Sequence, residues 1–197
     1  HCLYIHSEEE LIVRDMLFAE RPDVIVQCID ANQLKQSLTL TADLLELGIP
    51  MVVSLNAIDE TAKKGVRIDS AELSRALGLT VIESIAVKGV GTKELQQAIK
   101  AARPAPWPVD YGPVINDGVP AVEAQLPEQM PFKSKAALLL LLDDPFLAEN
   151  LKENYGPQKL AQLENEVRRF RRQFRGHLGQ ALHDQLSARV TDLVPRS

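Results

Sequence analysis

Along the first hundred residues the apolar positions alternate between two periods. Val24, Ile25, Val26, Cys28 and Ile29 make residues 24–30 β-branched and nearly all apolar, the pattern of a strand buried on both faces of a parallel sheet. Leu34, Leu38, Leu40, Leu44, Leu45 and Leu47 then recur at helical spacing, and Gly48 supplies a stop. Pro50 to Asn56 reads as a second buried strand. Asp69 or Ser70 is expected to cap a short helix from Ala71 to Leu77, closed by Gly78. Leu79 to Ser84 reads as a third strand, and Thr92 as the cap of a helix from Lys93 to Ala102. Strands and helices in this order predict part of a parallel α/β sheet.

The period changes after residue 103. Pro104, Pro106 and Pro108 can neither continue a helix nor sit in a central strand, so residues 104–108 are expected to be a linker. Beyond it the pattern is helical throughout, over Val114 to Met130, Lys133 to Leu142, Pro145 to Asn154 and Pro157 to about Val194. Pro120 and Pro127 are expected to break the first of these. Pro145 and Pro157 suit first helical turns. Leu163, Val167, Phe170 and Phe174 share one face of a charged stretch, as in a bundle helix with a solvated side. The expected organisation is an α/β part over 1–103, the linker, and an all-α part over 109–197.

Composition narrows the function classes. A formal net charge of −5 argues against a nucleic-acid partner that relies on the whole surface. The longest purely apolar run, Ala136 to Leu142, is far short of the roughly 20 residues that cross a bilayer. Cys2 and Cys28 form neither a metal-ligand spacing nor a disulfide framework. Cys28, inside an apolar run, reads as a buried small hydrophobe, and a reducing cytoplasm is the natural compartment.

The candidate chemistry lies on the loops after the second and third strands. Ligands of open parallel sheets bind at the carboxyl ends of strands. Asn56 and Asp59, three apart on such a loop, suit guanine. The Asp59 carboxylate can accept from the ring N–H and the exocyclic amino group together, a charge-assisted pair that adenine cannot supply. Asn56 can tie the base-binding loops together. On the next loop Ser84, Ile85 and Ala86 lead into Val87, Lys88 and Gly89. The small residues there let backbone N–H groups approach a base oxygen. No catalytic residue and no metal ligand is assigned. His177 and His183 are six apart and fall on different sides of a helix. His6 near Glu8 to Glu10 reads as part of a solvated acidic turn. Arg168, Arg169, Arg171, Arg172 and Arg175 read as a solvated helix face, with anionic headgroups as the sharper alternative. Trp107 reads as a hinge anchor.

Several stretches resemble one family. Ser7, Glu10, Arg14 and Asp15 open an acidic helix, with Ser7 as its expected N-cap. Arg21 to Val26, Ile29 to Ala31, Leu44 to Pro50, Asn56 to Glu60, Lys63 to Gly65, Ile68 with Asp69, and Leu77 with Gly78 follow. Together they resemble the cytoplasmic region of the ferrous iron transport protein B family over nearly all of residues 7–100. The match is less specific at Lys135 to Asp144. Where most small GTP-binding proteins carry a lysine after the asparagine, this chain has Ala57. The resemblance implies the C-terminal part of a doubly wound, parallel-sheet GTP-binding (G) domain, followed by an all-α helical regulatory domain. It implies GTP or GDP with Mg in the intact protein and slow GTP hydrolysis there. The expected partner is a transmembrane transport domain downstream in the same polypeptide, with homo-oligomer formation left open and no nucleic acid. The expected location is the cytoplasmic face of the bacterial inner membrane.

The sequence contains no Gly-x-x-x-x-Gly-Lys-Ser/Thr, the loop that cradles phosphates and helps to hold magnesium. In the family this loop lies upstream of the point where this sequence starts. The 197 residues alone are therefore expected neither to bind nucleotide tightly nor to hydrolyse GTP. Two other readings stand beside this one: a ribosome-associated or tRNA-modifying GTPase with the same base loops, and a non-catalytic interaction module.

Overall fold

The computed structural model describes residues 8–106 and 110–173. The described residues form two compact units, one over residues 8–106 and one over residues 110–173.

The first unit opens with helix α1, Glu8–Glu20, and then alternates strand and helix. Strand β1 is Ile25–Asp30, β2 is Met51–Asn56 and β3 is Thr80–Glu83. They form a sheet in the order β1-β2-β3, and both pairings are parallel. The register sets Asp30 beside Asn56 and Leu55 beside Glu83, so the carboxyl ends of all three strands emerge together.

Central strand β2 is buried from Met51 through Leu55, as a run apolar at every position but Ser54 predicts. Strand β1 departs from expectation. Ile29 and Gln27 are buried, whereas Val26, Cys28 and Asp30 are exposed. Among the described residues only one face of β1 is covered, so its burial alternates with period two, and Cys28 lies on the other face and is exposed. The buried polar side chain on β1 is satisfied: Gln27 Nε2 donates to Ser37 O at 3.2 Å and Oε1 accepts from the Thr41 hydroxyl at 2.8 Å. These bonds fasten β1 to helix α2, Leu34–Leu45, which buries Leu34, Leu38, Ala42, Leu44 and Leu45.

Helix α3, Ile58–Lys63, follows β2 directly, where no helix was expected. Helix α4, Ser70–Leu77, is capped by Asp69, whose carboxylate accepts from Glu72 N–H at 2.8 Å. The sequence had left this cap open between Asp69 and Ser70. Ser70 instead donates to Glu83 Oε1 at 2.6 Å, holding the helix to the end of β3. Helix α5, Thr92–Ala101, packs on β2 and β3. Its N-cap is Gly91, and the Thr92 hydroxyl donates backward to Gly89 O at 3.0 Å. The expected Thr92 cap is thus displaced by one residue.

The described elements of the second unit are helices α6 (Pro113–Glu123), α7 (Lys133–Leu141), α8 (Pro145–Tyr155) and α9 (Pro157–Arg171). Helix α7 is buried from Lys135 through Leu141 and packs against the other three, as expected of a stretch that is apolar on every side from Ala136 onward. Pro120 lies inside α6 without ending it; the residue is exposed and three more helical residues follow. Pro145 and Pro157 both occupy first turns, where the missing N–H costs nothing. The Ser7 cap, the Trp107 hinge, Phe174, Arg175 and both C-terminal histidines lie outside the described residues.

Candidate functional site

The carboxyl end of the sheet is built by three connections. After β2, Ala57 adopts left-handed geometry (φ 62°, ψ 28°) and caps α3. This turn places Asp59 in the first helical turn, where the dipole favours a carboxylate. After β3 the chain forms a short 3₁₀ turn over Ala86–Lys88. Ile85 and Val90 close that loop through a bridge, with Ile85 N–H donating to Val90 O at 3.2 Å and Val90 N–H to Ile85 O at 3.3 Å.

The two loops are tied to each other. Asn56 Oδ1 accepts from the backbone N–H of Ala86 at 2.9 Å. Asp59 Oδ2 lies 2.8 Å from the Lys88 ammonium. The hydrogen bond and charge of Lys88, with Lys63 adding to them, hold the Asp59 carboxyl below the ordinary carboxylate range. Asn56 and Asp59 are half-buried, whereas Ala86, Val87 and Lys88 are exposed. The arrangement offers a planar ligand one carboxylate and the backbone of a small-residue loop.

Ser84 plays a different part from the one its position suggested. Its side chain is buried and its hydroxyl meets that of Ser54 at 2.8 Å, while its N–H donates to Leu55 O at 2.8 Å. Ser84 therefore extends the sheet and braces β2 against β3, and the loop is exposed from Ala86 onward.

A third connection supports the first. Asp30 Oδ1 accepts from Asn32 N–H and from Asn32 Nδ2, each at 2.9 Å. Asn32 then donates to Glu60 Oε2 at 3.2 Å and accepts from Lys64 Nζ at 2.6 Å. The turn after β1 is thereby roped to α3. The backbone and side-chain bonds from Asn32, with the charge of Lys64, lower the Asp30 pKa. Sequence reasoning singled out neither Asn32 nor Lys88 as a site residue. Lys88 is separated from Asp59 by 29 positions and Asn32 from Glu60 by 28, so no local spacing signals either contact.

Other candidates resolve differently. Three of the arginines on α9 are engaged within the second unit. Arg168 lies 3.7 Å from Glu164 and Arg169 lies 3.7 Å from Glu166. Arg171 donates to Leu140 O and Leu141 O, closing the end of α7, and pairs with Asp143 at 2.8 Å. Among the described residues no group of three or more His, Cys, Asp or Glu side chains could hold a metal ion. No described helix is long and apolar enough to cross a membrane.

The sequence pattern of one family, ferrous iron transport protein B, matches residues 1–99. Among curated proteins, the chain is 33% identical over 132 residues to the Fe(2+) transport protein A/Fe(2+) transporter FeoB fusion protein of Porphyromonas gingivalis, covering 64% of this chain and 16% of that protein. It is 39% identical over 93 residues to the Fe(2+) transporter FeoB of Salmonella typhimurium, covering 47% of this chain and 12% of that protein. The chain thus spans less than a fifth of either relative. Among solved structures, NFeoB from S. thermophilus bound to GDP.AlF4- and K+ superposes with a TM-score of 0.82 at 23% identity, over 99% of this chain and 77% of that one. The cytosolic domain of L. pneumophila FeoB gives a TM-score of 0.79 at 26% identity, over 97% of this chain and 74% of that one.

Proposed function

Because this chain belongs to the ferrous iron transport protein B family, we propose that it carries the guanine-reading part of a GTP-binding domain, with a helical regulatory domain after it. In this reading the cytoplasmic region of a ferrous iron transporter uses nucleotide state to govern Fe(II) uptake through a transmembrane domain of the same polypeptide. The region works at the cytoplasmic face of the inner membrane. GTP or GDP, with Mg, is bound by the intact protein, whose phosphate-cradling loop supplies what these residues lack. The helical domain corresponds to residues 109–197 and residues 104–108 form the linker. The solved relative that carries GDP.AlF4- and K+ supports a nucleotide site on this fold.

The observation that carries the base assignment is the joining of two loops at the carboxyl ends of β2 and β3. Asn56 fixes the second loop through Ala86 N–H, and Asp59 stands beside it at the head of α3. A carboxylate there accepts from guanine's ring N–H and amino group together, whereas adenine leaves it unmatched. The test is Asp59→Asn in the full-length gene product. An amide can donate to the carbonyl that replaces guanine's amino group in xanthine, while its own oxygen still accepts from the ring N–H. GDP affinity is expected to fall at least roughly tenfold, and preference to move toward XDP. Unchanged base preference in titrations of both nucleotides would refute the assignment.

A further inference from the structure

The two groups on which base reading depends are both engaged inside the chain. Ala86 N–H is held by Asn56, and Asp59 is held by Lys88. The first contact ties the loops together and is compatible with a ligand above them. The second concerns the acceptor that would recognise the base. Resting on the guanine-site reading above, we infer that Lys88 competes with the base for the Asp59 carboxylate, and that this internal competitor weakens nucleotide binding and speeds release.

The backbone of the loop sets where the Lys88 side chain begins. Its own N–H donates to Ile85 O at 2.9 Å, and Gly89 behind it turns the chain in left-handed geometry at φ 67°. The Ile85–Val90 bridge closes the same loop. The lysine stem therefore starts from a fixed point beside α3, and its ammonium reaches Oδ2 at 2.8 Å. Guanine needs both carboxylate oxygens turned toward its two donors. An ammonium on one of them takes up an approach direction and cancels part of the negative charge that the base would feel. Lys63, one turn along α3, adds charge in the same sense. The Lys88 side chain is 58% exposed and that of Asp59 26%, so the ammonium can swing into water when a base arrives. The competition is consequently a tuning effect and not a block. Exposed pairs of this kind shift equilibria by about two- to fivefold, and salt screens them.

The experiment uses Lys88→Met and Lys88→Arg in the full-length gene product. GDP and ADP affinities and GDP dissociation rates are measured by displacement of a fluorescent nucleotide at low and high salt. Lys88→Met is expected to tighten GDP binding by about two- to fivefold through slower dissociation, with the gain shrinking at high salt. Lys88→Arg, which keeps the pair, should stay close to the parent. In the 197-residue chain, Lys88→Met should move the Asp59 carboxyl titration, followed by NMR, upward toward the ordinary value. Equal or weaker GDP binding in Lys88→Met, with GDP still preferred over ADP, overturns the inference and leaves the base assignment standing. Loss of any GDP-over-ADP preference in the parent protein overturns both. An Asp59 titration unmoved by Lys88→Met shows that the pair does not form in solution and also overturns the inference.

Discussion

Gly91 is where the loop after β3 is most sharply constrained. The residue has φ 85° and serves as N-cap of α5. A β-carbon added there would lie 2.3 Å from Glu83 O, 3.1 Å from Ser84 Cβ and 3.2 Å from Ser84 Cα. The first and last of these are backbone atoms, at the point where β3 gives way to the candidate base loop, so no rotamer change can relieve the contact. Gly91→Ala thus carries two costs. A left-handed conformation costs an L-residue roughly 1–2 kcal/mol, and overpacking against atoms that cannot step aside adds about 1–3 kcal/mol. The sum, about 2–5 kcal/mol, is a large share of the roughly 5–15 kcal/mol that stabilises an ordinary domain.

Gly65 separates the two costs. It too is left-handed, at φ 79°, but nothing lies within 4 Å of its added β-carbon. Gly65→Ala should therefore show the backbone cost alone, about 1–2 kcal/mol. Both variants are measured by urea denaturation of the whole chain, with helicity followed by circular dichroism. The Ala86 amide resonance should move in Gly91→Ala and stay in Gly65→Ala, because only the first displaces the loop that Asn56 holds. Equal destabilisation by the two substitutions would refute the packing argument, since it would leave no steric contribution at Gly91.

In the second unit, a β-carbon on Gly118 would meet the Phe170 ring at 3.2 Å and Leu141 Cδ1 at 3.3 Å. Gly118→Ala sets a helix-propensity gain of about 1 kcal/mol against an overpacking cost of about 1–3 kcal/mol, so a net loss is expected in the urea midpoint, and a stabilised variant would contradict the close approach of α6 and α9. Asp30, its pKa lowered chiefly by the Asn32 N–H, is stabilising when ionised; that contribution is present above the ordinary carboxylate pKa and is lost as pH falls through the lower folded value. Asp30→Asn should therefore make stability fall less steeply with acid across that window while leaving the slope near neutrality unchanged, and an unaltered acid limb would show that Asp30 is not so held.

What the sequence made legible was set by the range of the interactions involved. Strand β2 is central and buried from Met51 through Leu55, so its run, apolar at every position but Ser54, defines it. The stop at Gly78 follows from left-handed geometry that glycine adopts without penalty. Helix α3 was missed because Ile58–Lys63 is six residues long and lacks an apolar stripe; it starts because Ala57 turns left-handed, which alanine composition does not announce. Cys28 was misplaced for a related reason. Hydropathy records that residues 25–29 are apolar enough to be buried, but exposure depends on what covers each face. Among the described residues only the face of Gln27 and Ile29 is covered.

Ser84 shows the same limit at the candidate site. A small residue after a strand is compatible with close backbone approach to a ligand, and equally with a tight contact between neighbouring strands. The choice depends on which way the side chain points, and that is fixed by strand pairing. Leu55 pairs with Glu83, so Ser84 falls next in the ladder and donates its N–H to Leu55 O. Its side chain then lies inward, against Ser54. The consequence reaches the chemistry. Of the five residues picked from sequence, Asn56 and Asp59 present side chains at the sheet's end, whereas Ile85 and Ala86 contribute a loop whose shape is set by the Ile85–Val90 bridge and by Gly91. A loop whose shape is set largely by backbone is insensitive to many side-chain substitutions and sensitive to a few glycines. That is why Gly91, which carries no functional group, should matter more to this loop than Ile85 or Val87.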